Sequence, residues 1–287
     1  MTKIITHRGL DPDKAPYYKE SSVEAFSDQL ERGYGLEFDV QFSKDSQMII
    51  IHDSNLKRMT GGVDERKISE IDSSEILAMN FNGNHLTTLP HLFSLINDKA
   101  NPSSLSALHV KHGSQTAEKL DAILLALEKA DLNKLILFDV TIKSAEYIRK
   151  KNKSVRMAAS VSHHHDISRY NSAVAGTLIS IEELLENKNL FSWAWLDEWD
   201  LTDKDGGHKS LYNKEVFERL RKEGIGIALV TPELHGTSPG LLGGEAHPDA
   251  SSRERLNERL SEIILLRPDA VCTDHPDYVA DLIEKLQ

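Results

Sequence analysis

Lys3-Ile4-Ile5-Thr6, then Ser22-Val23-Glu24-Ala25-Phe26-Ser27-Asp28-Gln29-Leu30-Glu31-Arg32, then Gly35-Leu36-Glu37-Phe38-Asp39-Val40-Gln41: these three pieces decide the fold. The first is a short apolar run with β-branched residues, the composition of a strand. The second opens on Ser21-Ser22 before Glu24, a capping signal, and continues as an amphipathic helix. The third is again a strand, and its two carboxylates, two positions apart, face the same side. Strand, helix, strand in that order predicts a parallel pair joined by a right-handed crossover.

The same alternation continues to the end of the chain. Strands are expected at 3–6, 35–41, 48–52, 107–111, 135–140, 156–160, 193–197, 226–230 and 270–273. Between them, 116–130 places Leu120, Ile123, Leu124 and Leu127 at helical spacing, and 214–223 and 251–266 read the same way. Gly224 supplies a stop after the second of these helices. Counting 35–41 and 48–52 as one position leaves eight repeats. The expected fold class is therefore α/β, a (β/α)8 TIM barrel spanning 1–287 as one domain, with a doubly wound open sheet as runner-up. Residues 53–106 are less regular and read as a small insertion over the barrel mouth, following the strand that ends at His52.

Composition narrows the function. The 287 residues include 34 Lys+Arg against 45 Asp+Glu, a formal charge of −11. Nucleic acid and anionic membranes both call for a basic surface, so neither is an expected partner. No uncharged apolar run approaches the length of a membrane span, and the N-terminus has no secretory signal, so no membrane insertion and a cytoplasmic location are expected. The single cysteine, Cys272, excludes an intrachain disulfide framework and fits a small apolar role in a buried strand.

In a barrel, function collects at the carboxyl ends of the strands. There the chain places His7-Arg8-Gly9, Glu37 and Asp39, His52-Asp53, His109 and Lys111, Asp139, Asp197 with Glu198, Glu233, and Asp274-His275. Each has a structural explanation when taken alone: a satisfied histidine, a carboxylate network, Lys111 neutralising Glu37 or Asp39. Together they suit phosphodiester cleavage. Glu37 and Asp39 offer hard oxygen ligands for Mg2+ or Ca2+. Arg8 and Lys111 can neutralise phosphate oxygens, Arg8 through a planar fork and Lys111 as a point charge. His7 and His52 can act as a general acid–base pair near neutrality. No Walker-type glycine loop points to a nucleoside triphosphate.

At these residues the chain resembles the glycerophosphodiester phosphodiesterases. His7-Arg8-Gly9, Glu20-Ser21-Ser22 before Glu24-Ala25-Phe26, Gly35-Leu36-Glu37-Phe38-Asp39-Val40 with Ser43-Lys44-Asp45, Ile51-His52-Asp53 with Leu56, Arg58, Thr60 and Gly61, Thr88-Leu89-Pro90, and the closing 269–276 are similar to that family's motifs in order. The resemblance is dense over 4–61 and sparse in the middle. It implies a barrel, one divalent cation, and hydrolysis of a small glycerophosphodiester to an alcohol and sn-glycerol 3-phosphate. It also implies His7 and His52 as the catalytic histidines, Arg8 and Lys111 as phosphate ligands, and Glu37 and Asp39 as metal ligands. One position departs. Where the family reads Glu-x-Lys, with the Glu as third metal ligand, this chain reads His109-Val110-Lys111. Either His109 ligates, which shifts preference toward Mn2+, Fe2+ or Zn2+, or Asp139 or Asp197 fills in, or metal binding is weak.

Two rival functions remain open at this level: a phosphodiester lyase or cyclase on a related headgroup, and a non-catalytic barrel that binds a phosphorylated ligand. Absence of a membrane-binding segment favours deacylated headgroups over bilayer lipids as substrates. Among weaker signals, His163-His164-His165 reads as a solvated loop, 235–247 as a loop with Glu233 and His235 as candidate substrate contacts, and Trp193, Trp195 and Trp199 as core or rim. Oligomeric state is not legible.

Overall fold

The computed structural model describes residues 1–171, 176–198, 210–237 and 247–287. In chain order these form β1 (Lys3–His7), α1 (Val23–Glu31), β2 (Gly35–Phe42), β3 (Met48–Ile50), α2 (Ser73–Ala78), β4 (Thr87–Thr88), α3 (Leu89–Lys99), β5 (Ser106–His109), α4 (Ala117–Leu127) and β6 (Leu135–Phe138). They continue with α5 (Ile142–Lys151), β7 (Ala158–Val161), α6 (His164–Tyr170), β8 (Leu178–Ile179), α7 (Ile181–Glu186), β9 (Trp193–Leu196), α8 (Lys214–Lys222), β10 (Gly226–Val230), α9 (Leu234–Thr237), α10 (Arg253–Leu265), β11 (Ala270–Thr273) and α11 (Pro276–Leu286). Every strand expected from sequence is present, with ends displaced by at most two residues. The chain divides into two compact units, Ile5–Ile136 and Leu137–Gln287 with Met1–Ile4, called here the N-terminal and C-terminal units.

In the N-terminal unit β2 is central. It pairs in parallel with β1, His7 opposite Glu37, and with β5, Asp39 opposite His109. The antiparallel hairpin partner β3 continues to β4. Gly35 is required where β2 begins, because a Cβ there would lie 1.7 Å from the Leu105 carbonyl oxygen. Phe38 packs edge-on against Phe26 of α1 (6.5 Å between ring centroids) and Phe93 of α3 (6.4 Å). Strand alternation then turns Glu37 and Asp39 to the opposite face. Ser22 caps α1 by accepting the Ala25 N–H (3.1 Å), as its sequence signal predicts.

Residues 53–106 are more regular than expected. Leu56, Met59, Ile68, Ile71, Ile76, Phe81 and Leu86 close over Ile49 and Ile51 as a separate apolar cluster. The eleven-residue α3 follows, capped by Thr88 with Pro90 in its first turn. Pro in the first turn costs no intrahelical hydrogen bond, so Thr88-Leu89-Pro90 starts a helix and does not interrupt one.

In the C-terminal unit β7, β9, β10 and β11 run parallel in that order, and β8 pairs with β7. Trp195 of β9 stacks on Phe138 of β6 at 4.1 Å and 15°. On the other face Glu198 accepts from Arg259 of α10 (2.6 Å) and from the Tyr212 N–H (2.9 Å), and Asp249 faces the same guanidinium (3.4 Å). The His163-His164-His165 segment is not a loop: His163 caps α6 and the next two residues are helical. Among the described residues no helix is long and apolar enough to cross a membrane.

Candidate active site

β1 ends at His7, and the chain then turns sharply through two residues with positive φ, Arg8 (55°) and Gly9 (72°). Gly9 adopts this freely, whereas the left-handed region costs Arg8 about 1–2 kcal/mol. The turn is held by the Arg8 N–H on the Glu37 carbonyl (3.0 Å), the Ser21 N–H on the Arg8 carbonyl (2.8 Å) and the Leu10 N–H on the His7 carbonyl (2.9 Å). A Cβ at Gly9 would press on Ala25 Cβ at 3.1 Å, so α1 closes down on the turn. This geometry buries the Arg8 side chain, 2% exposed, with Nη1 on Glu20 Oε2 (3.2 Å) and Nε 3.6 Å from Asp39 Oδ2.

Asp39 is fully buried and surrounded by cations. His109 Nδ1 lies 2.8 Å and Lys111 Nζ 3.2 Å from Oδ1. Burial alone would raise its pKa, but Lys111, His52 and His109 outweigh it and hold the carboxyl well below the ordinary aspartate range. Glu37 behaves oppositely. Burial and the neighbouring Asp39 charge push it up to about 7, with His7, Arg8 and His109 opposing. Its Oε2 has no hydrogen-bond partner among the described residues.

Glu37, Asp39 and His109 each present a ligand atom, all within 4.8 Å of one another, and among the described residues this is the group able to hold a metal ion. The donor set fits a divalent cation. Two buried carboxylates repel each other, one oxygen is orphaned, and a dication would offset both penalties. The imidazole in place of a third carboxylate makes the set softer and less negative.

His52 follows β3. Its Nδ1 lies 2.6 Å from Asp53 Oδ1, and its carbonyl accepts from Gln41 (3.1 Å). Burial lowers His52 to about 4 despite the opposing pull of Asp39 and Asp53, so the free imidazole is neutral at neutral pH. Burial would raise Asp53, but hydrogen bonds from His52 and Arg58 outweigh it and hold the carboxyl below its usual range. Arg58 then joins two carboxylates, with Nε on Asp53 Oδ2 (2.7 Å) and Nη1 on Glu20 Oε1. A continuous chain results: His52, Asp53, Arg58, Glu20, Arg8, Asp39.

The structure thus brings His7, Arg8, Glu37, Asp39, His52, His109 and Lys111 together in the N-terminal unit, and Lys111 takes Asp39 as its partner. Asp139, Asp197, Glu233 and His235 lie in the C-terminal unit. Trp199 and most of the 235–247 loop lie outside the described residues; the loop's start is α9. Sequence reasoning assigned no role to Glu20, Asp53 or Arg58. The signal available was an acidic residue adjoining His52 with an Arg five positions on, but nothing local links them to Glu20.

Comparison with known proteins supplies the context. Residues 7–278 match the model of the glycerophosphoryl diester phosphodiesterase family. A glycerophosphodiester phosphodiesterase from Caldanaerobacter subterraneus is 35% identical over 105 residues, 34% of this chain and 42% of that protein. The chain spans less than half the length of the curated relatives it matches. Among solved structures, a glycerophosphoryl diester phosphodiesterase from Parabacteroides distasonis superposes with a TM-score of 0.66 at 18% identity, over 100% of this chain and 87% of that one. A phosphodiesterase from Oleispira antarctica, solved with the product sn-glycerol-3-phosphate, gives 0.64 at 15% identity, over 99% and 97%. The fold class is the α/β TIM barrel expected from the strand–helix alternation. With the family model matched from His7 to Tyr278, the chain belongs to the glycerophosphoryl diester phosphodiesterase family.

Proposed function

We propose that the protein hydrolyses a small glycerophosphodiester, releasing an alcohol and sn-glycerol 3-phosphate. The observation that carries this reading is the meeting, in one unit, of a metal-capable group (Glu37, Asp39, His109), two phosphate-binding cations (Arg8, Lys111) and a carboxylate-oriented imidazole (His52–Asp53). The family match and the product-bound relative support the same chemistry.

When bound by Glu37, Asp39 and His109, a divalent cation supplies Lewis-acid polarisation of a phosphoryl oxygen. Arg8 and Lys111, now shared with Asp39, bind the non-bridging oxygens and neutralise their charge. Asp53 fixes the tautomer and direction of His52, leaving Nε2 for proton transfer. A phosphodiester's negative charge beside His52 raises its pKa from about 4, so substrate binding itself brings this imidazole toward the range where it exchanges protons. Of the pair His7 and His52, one takes the proton from the attacking water and the other gives one to the departing alkoxide. Water adds to phosphorus, the P–O bond to the alcohol breaks, and the proton count is unchanged.

The test is phosphorus NMR of purified protein with glycerophosphocholine, glycerophosphoethanolamine and glycerophosphoinositol across a panel of divalent ions. Appearance of sn-glycerol 3-phosphate is expected. A cyclic phosphate product would replace hydrolysis by cyclisation, and unchanged substrates under every ion would leave only ligand binding.

A further inference from the structure

The C-terminal unit has polar groups that the proposed reaction does not use, gathered at the carboxyl ends of β7, β9 and β10. Asp197 directly follows β9 and continues the ladder, its N–H donating to the Val161 carbonyl (2.9 Å). By strand alternation it shares a face with Trp195, whose parallel partner across the ladder is Ser160. His235, in α9, places Nε2 2.8 Å from Asp197 Oδ1, and the His247 ring packs edge-on against His235 at 5.4 Å. Glu233, two residues earlier, accepts at Oε1 from the hydroxyls of Thr231 (2.6 Å) and Thr273 (2.7 Å) and from the Asp274 N–H (3.2 Å).

Three of these side chains are buried without a complete set of partners. Among the described residues Ser160 Oγ, Glu233 Oε2 and His247 Nε2 have no hydrogen-bond partner, in residues only 4%, 9% and 2% exposed. Each such group costs about 1–3 kcal/mol unless something else satisfies it. Their chemistry defines what that must be. The Asp249 N–H donates to His247 Nδ1 (3.0 Å), which places the proton of the neutral ring on Nε2, a free donor. Burial, with His235 alongside, pushes His247 down to about 4, so the ring stays neutral. Glu233 Oε2 is a free acceptor, and Ser160 Oγ can donate or accept.

We infer that Asp197, His235, His247, Ser160 and Glu233 form a binding site for a neutral polyhydroxylated group, a sugar or cyclitol. A hydroxyl both donates and accepts, so a ring bearing several can satisfy this mixed set. Neither charged class fits as well. Asp197 is already answered by His235, and Oε1 of Glu233 by three donors, which weakens the pull on a cation; two carboxylates repel an anion. Trp195, on the same face of β9 as Asp197 by strand alternation, adds an apolar neighbour suited to the C–H face of such a ring. Asp197 keeps its side chain 20% exposed, which gives a ligand access.

Binding alone tests the site, independently of any turnover. The purified full chain is titrated with three probes: myo-inositol and choline, read by saturation-transfer difference NMR, and inorganic phosphate, read by phosphorus-31 line broadening. Saturable binding of myo-inositol is expected, weakened about tenfold by Asp197→Asn and by the conservative Ser160→Ala, the loss that one hydrogen bond of about 1.4 kcal/mol represents. Circular dichroism identifies any variant that fails to fold, and the folded one then decides. Three outcomes overturn the proposal: no saturable myo-inositol signal, a signal indifferent to the substitutions in folded protein, or Asp197-dependent binding of choline or phosphate instead.

Discussion

The two units bury charge in different ways. In the N-terminal unit, Asp39 faces His109, Lys111 and Arg8 at once, and Arg8 itself is held in a left-handed turn. On the proposed function those contacts are exchangeable: a phosphate would take Arg8 and Lys111, and a cation would take Asp39 and Glu37. In the C-terminal unit the buried Glu198, Arg259 and Asp249 form a network that ties α10 to the end of β9, with both Glu198 oxygens committed. Buried ions therefore have opposite meanings within one chain. Where a carboxylate is crowded by cations and its neighbour keeps an orphan oxygen, the proposed function has the arrangement await a ligand. Where one buried guanidinium is shared among several carboxylates, as Arg259 is among Glu198, Asp249 and Glu262, it fastens the fold.

Substitutions can break this contrast. The largest effect is expected from His52→Ala or His7→Ala, which should lower kcat by about 10²–10⁴-fold with little change in unfolding midpoint; rates near wild type would remove the imidazoles from the reaction. Next comes Arg259→Gln, which removes the guanidinium facing Glu198 while leaving Asp249 its contact with Arg255 (2.8 Å). It should cost about 3 kcal/mol in urea unfolding, as breaking a buried ion pair does, and a neutral result would deny the network its fastening role.

Smaller effects sharpen the comparison. Arg58→Gln unlinks Asp53 from Glu20 and should reduce kcat about tenfold, with Arg58→Lys restoring part of it because the charge remains. His109→Glu adds a negative ligand and should tighten Mg2+ or Ca2+ about tenfold by calorimetry; unchanged affinity would place His109 off the ion.

The smallest effect is on pH dependence. Glu37, raised to about 7 from 4.5, is protonated below that point, so divalent affinity should climb through pH 7 and then level. In metal-free protein the same raised pKa makes Glu37 lower stability as pH rises from 4.5 to 7. His52, depressed from 6.5 to about 4, raises stability over pH 4 to 6.5. The two oppose each other, so Glu37→Gln should steepen the rise of Tm between pH 4 and 6.5; an unaltered profile would mean Glu37 titrates normally.

Much of the fold was legible because its signals are local. The capping serine of α1, the apolar spacing of α4 and the paired polar positions of β2 and β5 are each read within one element. Helix α3 lies outside the helices expected from sequence, and its start is set by the Thr88 cap and Pro90 in its first turn. The motif residues at strand ends were equally legible, since alternation alone fixes which side chains share a face.

Local sequence signals are enough to specify the order of strands and helices, the fold class they imply, and the identity of the polar residues at the strand ends. Tertiary contacts alone set who partners whom: Lys111 and His109 with Asp39, Arg58 between Asp53 and Glu20, Arg259 with Glu198 across 61 positions, and Ser160 Oγ, Glu233 Oε2 and His247 Nε2 with no hydrogen-bond partner among the described residues. The reason is physical. Periodicity is set by backbone geometry over a few residues, whereas the state of a buried charge depends on every group that folding brings within a few ångströms of it, wherever that group stands in the chain.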